Sequence, residues 1–295
     1  MMKRVLWAFL AVLLALSSGC NSQPRDERMQ VVVSIQPLAW FAGRIAGSRA
    51  VVQVMVPPGG NPHTYEPLPR QMTMLGNASL FLKAGSGVEF ELDWMPRFLK
   101  LNPSLRVCDA SEGVRLLEMG GEAQDGRRDH NDNHRMDPHF WLDPSNGIMI
   151  ADTVARCMAE GDPEHAREYL ANAEALKTEL RELDASIRKT LAPLHGGSFL
   201  VFHPAWGYYA HAYGLRQIAA ESGGKELTPR QMQQVIDQAR NEGIRVVFVS
   251  PEFSSAQAST IASGIGGLTR SVDPLALDYP GNLRLATEAF RDALR

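Results

Sequence analysis

No sign of charge dominates these 295 residues: 30 lysines and arginines stand against 33 aspartates and glutamates, a net charge of −3. With no basic tract, a nucleic-acid partner is excluded. The longest apolar run, Val5–Leu16, has 12 residues, short of the roughly 20 that cross a bilayer. Cysteine is scarce, only Cys20, Cys108 and Cys157. The chain carries no HExxH, no GxSxG and no phosphate-binding glycine loop, so the usual zinc-protease, serine-hydrolase and ATPase signatures are absent. No stretch repeats elsewhere in the sequence.

What is present begins with a leader. "MMKRVLWAFLAVLLALSSGC" has a basic start, the apolar run and then small residues up to Cys20, the build of a secretory signal peptide. Its end, Ser18-Gly19-Cys20, resembles a bacterial lipobox, which implies lipid on Cys20 and anchorage in the cell envelope. Removing residues 1–19 leaves 276 residues and, with Lys3 and Arg4 gone, a charge of −5. Residues 20–29 read as a flexible tether. In an oxidising compartment Cys108 and Cys157 can pair, but spacing alone leaves open whether they are within reach.

The body alternates strand and helix. "QVVVSI", "AVVQVMV", "ASLFLKAG" and "LRVCDA" read as strands, with helices over "LAWFAGRIAG" and about Phe90–Leu99. After residue 195 the pattern restarts with "SFLVFH", "LRQIAAE", "IRVVFVSP" and "TRSVDP", and with helices over "PAWGYYAHAYG", "TPRQMQQVIDQARNEG" and Ala256–Ala262. Such alternation predicts parallel strands with helical crossovers. Between the halves, apolar residues at 166, 169, 170, 173, 176, 180, 183, 187 and 191 keep helical spacing. Asp162 is the expected cap and Pro163 the first residue of a helix of about 45 Å. The reading is α/β: two lobes, residues 30–161 and 195–295, with parallel sheets flanked by helices. A spine helix at 162–194 joins them and a binding cleft lies between them. A stiff spine predicts lobes that move little against each other.

Four ligand-type side chains fall in loops beside prolines: His63 (Pro62), His139 (Pro138), His203 (Pro204) and Asp273 (Pro274). Loops beyond the carboxyl ends of parallel strands form the binding crevice, so all four can converge. Three imidazoles and a carboxylate suit a divalent ion of the Zn²⁺ or Mn²⁺ type. Asp137 or Asp143 is placed to hold the His139 ring from behind, and Asp143 also suits the cap of the next helix. Glu66, three residues after His63, is a further supporting candidate, and the natural choice of base if the site were that of an exported zinc hydrolase. Trp141 reads as packing.

Four segments carry a resemblance. "PHTYEP", "DPHFWLDP", "HPAWGYYAHAYGL" and "VDPL" are similar, in order, to motifs of the cluster A-I (cluster 9) solute-binding proteins, the metal receptors of zinc and manganese ABC importers. That resemblance implies His63, His139, His203 and Asp273 as ligands and a membrane permease as partner. It also implies a non-enzymatic, monomeric receptor, with adhesion as a possible second role. A histidine rather than glutamate at 203 favours Zn²⁺, with Mn²⁺ the alternative. The loop "GGEAQDGRRDHNDNHRM" offers His130 and His134 as auxiliary metal-capturing residues, in a position where zinc-importer members often carry a longer histidine-rich insertion.

Overall fold

The computed structural model describes residues 28–119, 136–221, 227–254 and 256–295; Cys20, the leader and the His130/His134 loop lie outside them. Two four-stranded sheets, all parallel, form the frame. The first contains β1 (Met29–Val33), β2 (Ala50–Val54), β3 (Leu80–Lys83) and β4 (Arg106–Asp109) in the order β2-β1-β3-β4. The second repeats that order with β5 (Ser198–Val201), β6 (Arg216–Ala219), β7 (Val246–Val249) and β8 (Leu268–Ser271), as β6-β5-β7-β8. In each sheet the first strand lies at the centre and the winding reverses beside it, which opens a crevice at the carboxyl ends.

The helices are α1 (Gln36–Ala46), α2 (Pro69–Gly76), α3 (Glu89–Leu101), α4 (Pro144–Gly161), α5 (Ala166–Leu191), α6 (Gly207–Tyr213), α7 (Pro229–Asn241), α8 (Ala256–Gly264) and α9 (Tyr279–Ala293). Local chemistry explains their ends. Asp143 Oδ1 accepts from Ser145 N–H at 2.8 Å and Pro144 opens α4. Thr228 and Gln231 cap α7 reciprocally, forming a capping box. Gly47, with φ 54°, ends α1. Helices α2 and α9 escape the apolar-periodicity reading because each opens on a proline-containing turn that reads as loop.

The spine runs from a turn of 3₁₀ helix at Pro163–His165 through α5 into another at Ala192–Leu194. Its 26 α-helical residues span about 39 Å. Tyr169, Ala173, Leu176, Leu180, Leu183, Ile187 and Leu191 are buried, whereas Leu170, at 51 % exposure, is not. Asp162 does not cap the helix as expected. Its carboxylate instead accepts from Tyr169 Oη at 2.6 Å and pairs with His165 Nδ1 at 2.8 Å.

One hydrophobic core runs from the first sheet through α1, α4 and the spine to the inner face of the second sheet, taking in Val32, Phe41, Leu176, Phe199, Phe248 and Phe290. A smaller core on the outer face of the second sheet packs Leu200, Ile218 and Val247 against α7 and α8. The question left open by the cysteines is closed: Cys108 of β4 is bonded to Cys157 of α4, with Cα atoms 6.2 Å apart. Among the described residues no helix is long and apolar enough to cross a membrane.

Candidate metal centre

Three of the four candidate ligands meet between the two sheets. One ring nitrogen from each of His63, His139 and His203 lies within 4.8 Å of the other two. His63 comes from the long loop after β2, and His203 from the loop directly after β5. His139 precedes a single 3₁₀ turn, Phe140–Leu142, that leads into α4. His139 and His203 are buried, at 3 % and 6 % exposure, while the His63 side chain keeps 17 %.

Each imidazole is held from behind by a carboxylate on Nδ1. Asp137 Oδ1 is 2.7 Å from His139 Nδ1 and also accepts from the His139 backbone N–H at 2.9 Å. Glu89 Oε2 is 2.7 Å from His63 Nδ1, and Glu221 Oε1 pairs with His203 Nδ1. With Nδ1 engaged, Nε2 is the nitrogen each ring has left for a ligand. His139 Nε2 and His203 Nε2 face each other at 3.4 Å. Two nitrogens bound tetrahedrally at 2.0–2.1 Å from one zinc ion sit about 3.4 Å apart, so an ion of that size fits between this pair.

Burial keeps two of the rings, His139 and His203, in the metal-binding form. Burial pushes His139 down to about 3, and the neighbouring His63 imidazole adds to the shift. Burial pushes His203 down to about 4 against the opposing hydrogen bond to Glu221. Both are therefore neutral at pH 7, with a lone pair available on Nε2. Burial raises Asp137 to about 7, opposed by the His139 backbone N–H. At Glu89 burial is outweighed by the hydrogen bond and charge of His63, which lower its pKa.

The other expected residues sit differently. Asp273 stands outside the three-histidine cluster: its Oδ1 accepts from Leu275 N–H at 2.7 Å and its carboxylate faces Glu252. Burial and the Asp273 charge push Glu252 up to about 8. Asp143 is occupied as the α4 cap, so of the two aspartates flanking His139 only Asp137 reaches the ring. Glu66 is exposed, and no hydrogen bond or ion pair joins it to the three histidines among the described residues. The supporting role expected of Glu66 is filled instead by Glu89, 26 positions from His63. Glu89 and Glu221 are not legible as partners from spacing, because they lie 26 and 18 positions from their histidines. The available signal was topological, since both acids follow a parallel strand.

Aromatic residues fasten the loops. Trp141 Nε1 donates to Pro274 O at 2.8 Å and Tyr279 Oη to Trp141 O at 2.6 Å, tying the His139 loop to the Asp273 loop. Tyr208 Oη donates to Asp137 O at 3.0 Å. Gly207 passes so close that a Cβ there would collide with the Asp137 carboxylate. Phe253 stacks on the His203 ring, centroids 4.3 Å apart.

A family profile described as zinc-uptake complex component A, periplasmic (ZnuA) matches residues 31–293. This chain belongs to the ZnuA family. Among curated relatives, the zinc uptake protein ZnuA of Brucella abortus is 28 % identical over 333 residues, covering 99 % of both chains. The manganese-binding lipoprotein MntA of Halalkalibacterium halodurans is 28 % identical over 275 residues, covering 90 % of this chain and 87 % of its own. Among solved structures, a crystal structure of ZnuA superposes with a TM-score of 0.84 at 34 % identity, covering 91 % of this chain and all of that one. The laminin-binding adhesin Lmb of Streptococcus agalactiae follows at a TM-score of 0.78 and 25 % identity. The two-sheet frame with its spine is thus the family's fold.

Proposed function

We propose that this protein is the receptor of a zinc importer: it captures Zn²⁺ between the sheets and delivers it to the membrane permease of an ABC transporter. The observation that carries the reading is the set of three converging imidazoles, each backed by a carboxylate on Nδ1. A carboxylate behind an imidazole fixes its tautomer and raises its basicity as a ligand. Nitrogen donors at tetrahedral spacing favour zinc over harder ions. Family membership and the zinc uptake relative point the same way.

His63, His139 and His203 are the proposed ligands. Asp273 is proposed as a fourth that swings in from the Pro274 loop, and His130 and His134 as auxiliary capture residues. On the same reading the lipid on Cys20 holds the receptor, as a monomer, at the periplasmic face or cell surface. Manganese is the second reading, favoured by the MntA relative and by Asp273, whose oxygen would harden the site. Adhesion, as in the Lmb neighbour, is a further role compatible with the same fold. An exported zinc hydrolase needs a carboxylate base facing the metal, and Glu66 does not face it.

Calorimetry on the metal-free protein, titrated separately with Zn²⁺ and Mn²⁺, tests the assignment. One tight zinc site with much weaker manganese binding is expected. Preference for manganese reverses the choice of metal, and no stoichiometric uptake of either ion overturns the receptor reading.

A further inference from the structure

Among the described residues, one that is not glycine has a left-handed backbone: Ser86, with φ 53°. It is the middle of a turn in which Gly85 and Gly87 also have positive φ, 75° and 96°. An L side chain disfavours this conformation, and it persists only where the surroundings over-determine it, most often at binding sites. Here the surroundings do so from below. The buried Glu91 carboxylate accepts from the N–H groups of Ala84 at 2.7 Å and Gly85 at 2.8 Å. Ser34 Oγ accepts from Ala84 N–H as well, at 3.0 Å. Gly85 cannot take a side chain, because a Cβ there would run into Asp109.

The strained residue has a target. Its hydroxyl donates to Pro138 O at 2.9 Å, sharing its proton with Gly85 O at 2.7 Å. Pro138 O belongs to the peptide immediately before His139. The same segment reaches the other histidine of the first lobe: Glu89 holds the His63 ring, and Phe90 N–H donates to Pro62 O, the carbonyl before His63, at 3.4 Å. Residues 84–91 therefore grip the peptide in front of His63 and the peptide in front of His139 at once.

We infer that Ser86 is a positioning residue that fixes His139 relative to His63, with Glu91 clamping the turn that carries it. The inference rests on the receptor reading and adds to it how the spacing of two ligands on separate loops is set. A ligand pair held at fixed separation keeps its coordination geometry when the ion changes, so losing the hydroxyl loosens the site without emptying it.

Ser86→Gly and Ser86→Ala test this in the purified protein. The glycine variant relieves the backbone while removing the hydroxyl, and the alanine variant removes the hydroxyl alone. Thermal melting, zinc calorimetry and the visible spectrum of bound Co²⁺ are read on each. Expected is a glycine variant that melts at or above the wild-type temperature, yet binds zinc about tenfold more weakly. The tetrahedral Co²⁺ bands of both variants should shift or lose intensity. Zinc affinities within about twofold of wild type with an unchanged Co²⁺ spectrum overturn the positioning role while leaving the receptor reading intact. So does a glycine variant that melts well below wild type, because the turn would then serve stability. Wild-type protein that takes up neither Zn²⁺ nor Co²⁺ overturns both readings.

Discussion

Replacing Cys108 and Cys157 together by alanine opens the one cross-link of the first lobe and should cost stability without touching the site. The two residues are 49 apart in sequence. Closing a loop of about 50 residues removes roughly 14 cal/mol/K from the unfolded chain, about 4 kcal/mol at 25 °C. Unfolding entropy near 2.1 cal/mol/K per residue over the folded body amounts to about 560 cal/mol/K, so the melting temperature should fall by about 7 °C. Zinc binding should hardly change. Cys157 lies in the last turns of α4 (Pro144–Gly161), about 20 Å along the helix from the end that follows His139. Calorimetric melting with and without reductant, followed by a zinc titration of the double variant, checks both halves. A shift below about 2 °C would refute the loop-closure reasoning. Full stability with lost zinc affinity would mean that the bridge reaches the ligands.

Four further outcomes are expected. His139→Ala should abolish tight zinc binding in calorimetry, while the His130→Ala, His134→Ala double variant keeps it; equal affinities would sink the ligand assignment. Glu221→Gln and Glu89→Gln should each weaken zinc by about 10- to 100-fold, and affinities equal to wild type would show that the carboxylates only pack. Glu252, raised from 4.5 to about 8, favours the neutral acid in the fold. Its stabilisation is therefore complete below pH 4.5 and disappears as the pH rises towards 8. Against Glu252→Gln, metal-free wild type should lose on the order of 1–2 kcal/mol between pH 5 and 8 in urea melts, after discounting for partial exposure; parallel curves would refute this. Solution scattering should show a radius of gyration near 18 Å that changes by less than about 1 Å on zinc addition; a larger compaction would mean that the lobes close like a hinge.

Much of the frame can be read from β-branched runs such as "QVVV" and "RVVFV", whose burial on both faces leaves no alternation to misread, and from the period of the spine. The three histidines can be read because each sits among prolines and aromatic residues in a loop after, or between, such runs. The carboxylates behind them cannot. Glu221 reaches His203 because β6 lies beside β5, and Glu89 reaches His63 because α3 begins where β3 ends. Both contacts depend on strand order, which spacing does not encode. Glu66 illustrates the reverse error: closeness in sequence suggested a partner for His63, but the loop turns its side chain to solvent. Asp273 lies between these cases, brought to the right rim by β8 yet engaged with Leu275 N–H and Glu252. The strain at Ser86 left no mark in "GSG" beyond two glycines, since a φ angle is decided by what the turn must reach.

The undivided core across the spine bears on how cargo leaves. If the halves of a receptor hinge apart, release can be driven by spreading the whole body, and the effort is shared over the whole interface between them. Here that route would tear Phe41 and Trp40 of the first half from Tyr279 of the second, centroids 5.1 Å and 5.2 Å apart. On the receptor reading, a transporter unloading this protein would pry at the rim instead, where the Asp273 and His139 loops are buttoned together through Trp141. The residence time of the ion then becomes a property of a few loop hydrogen bonds, and it can be retuned by substitution there while the body stays the same.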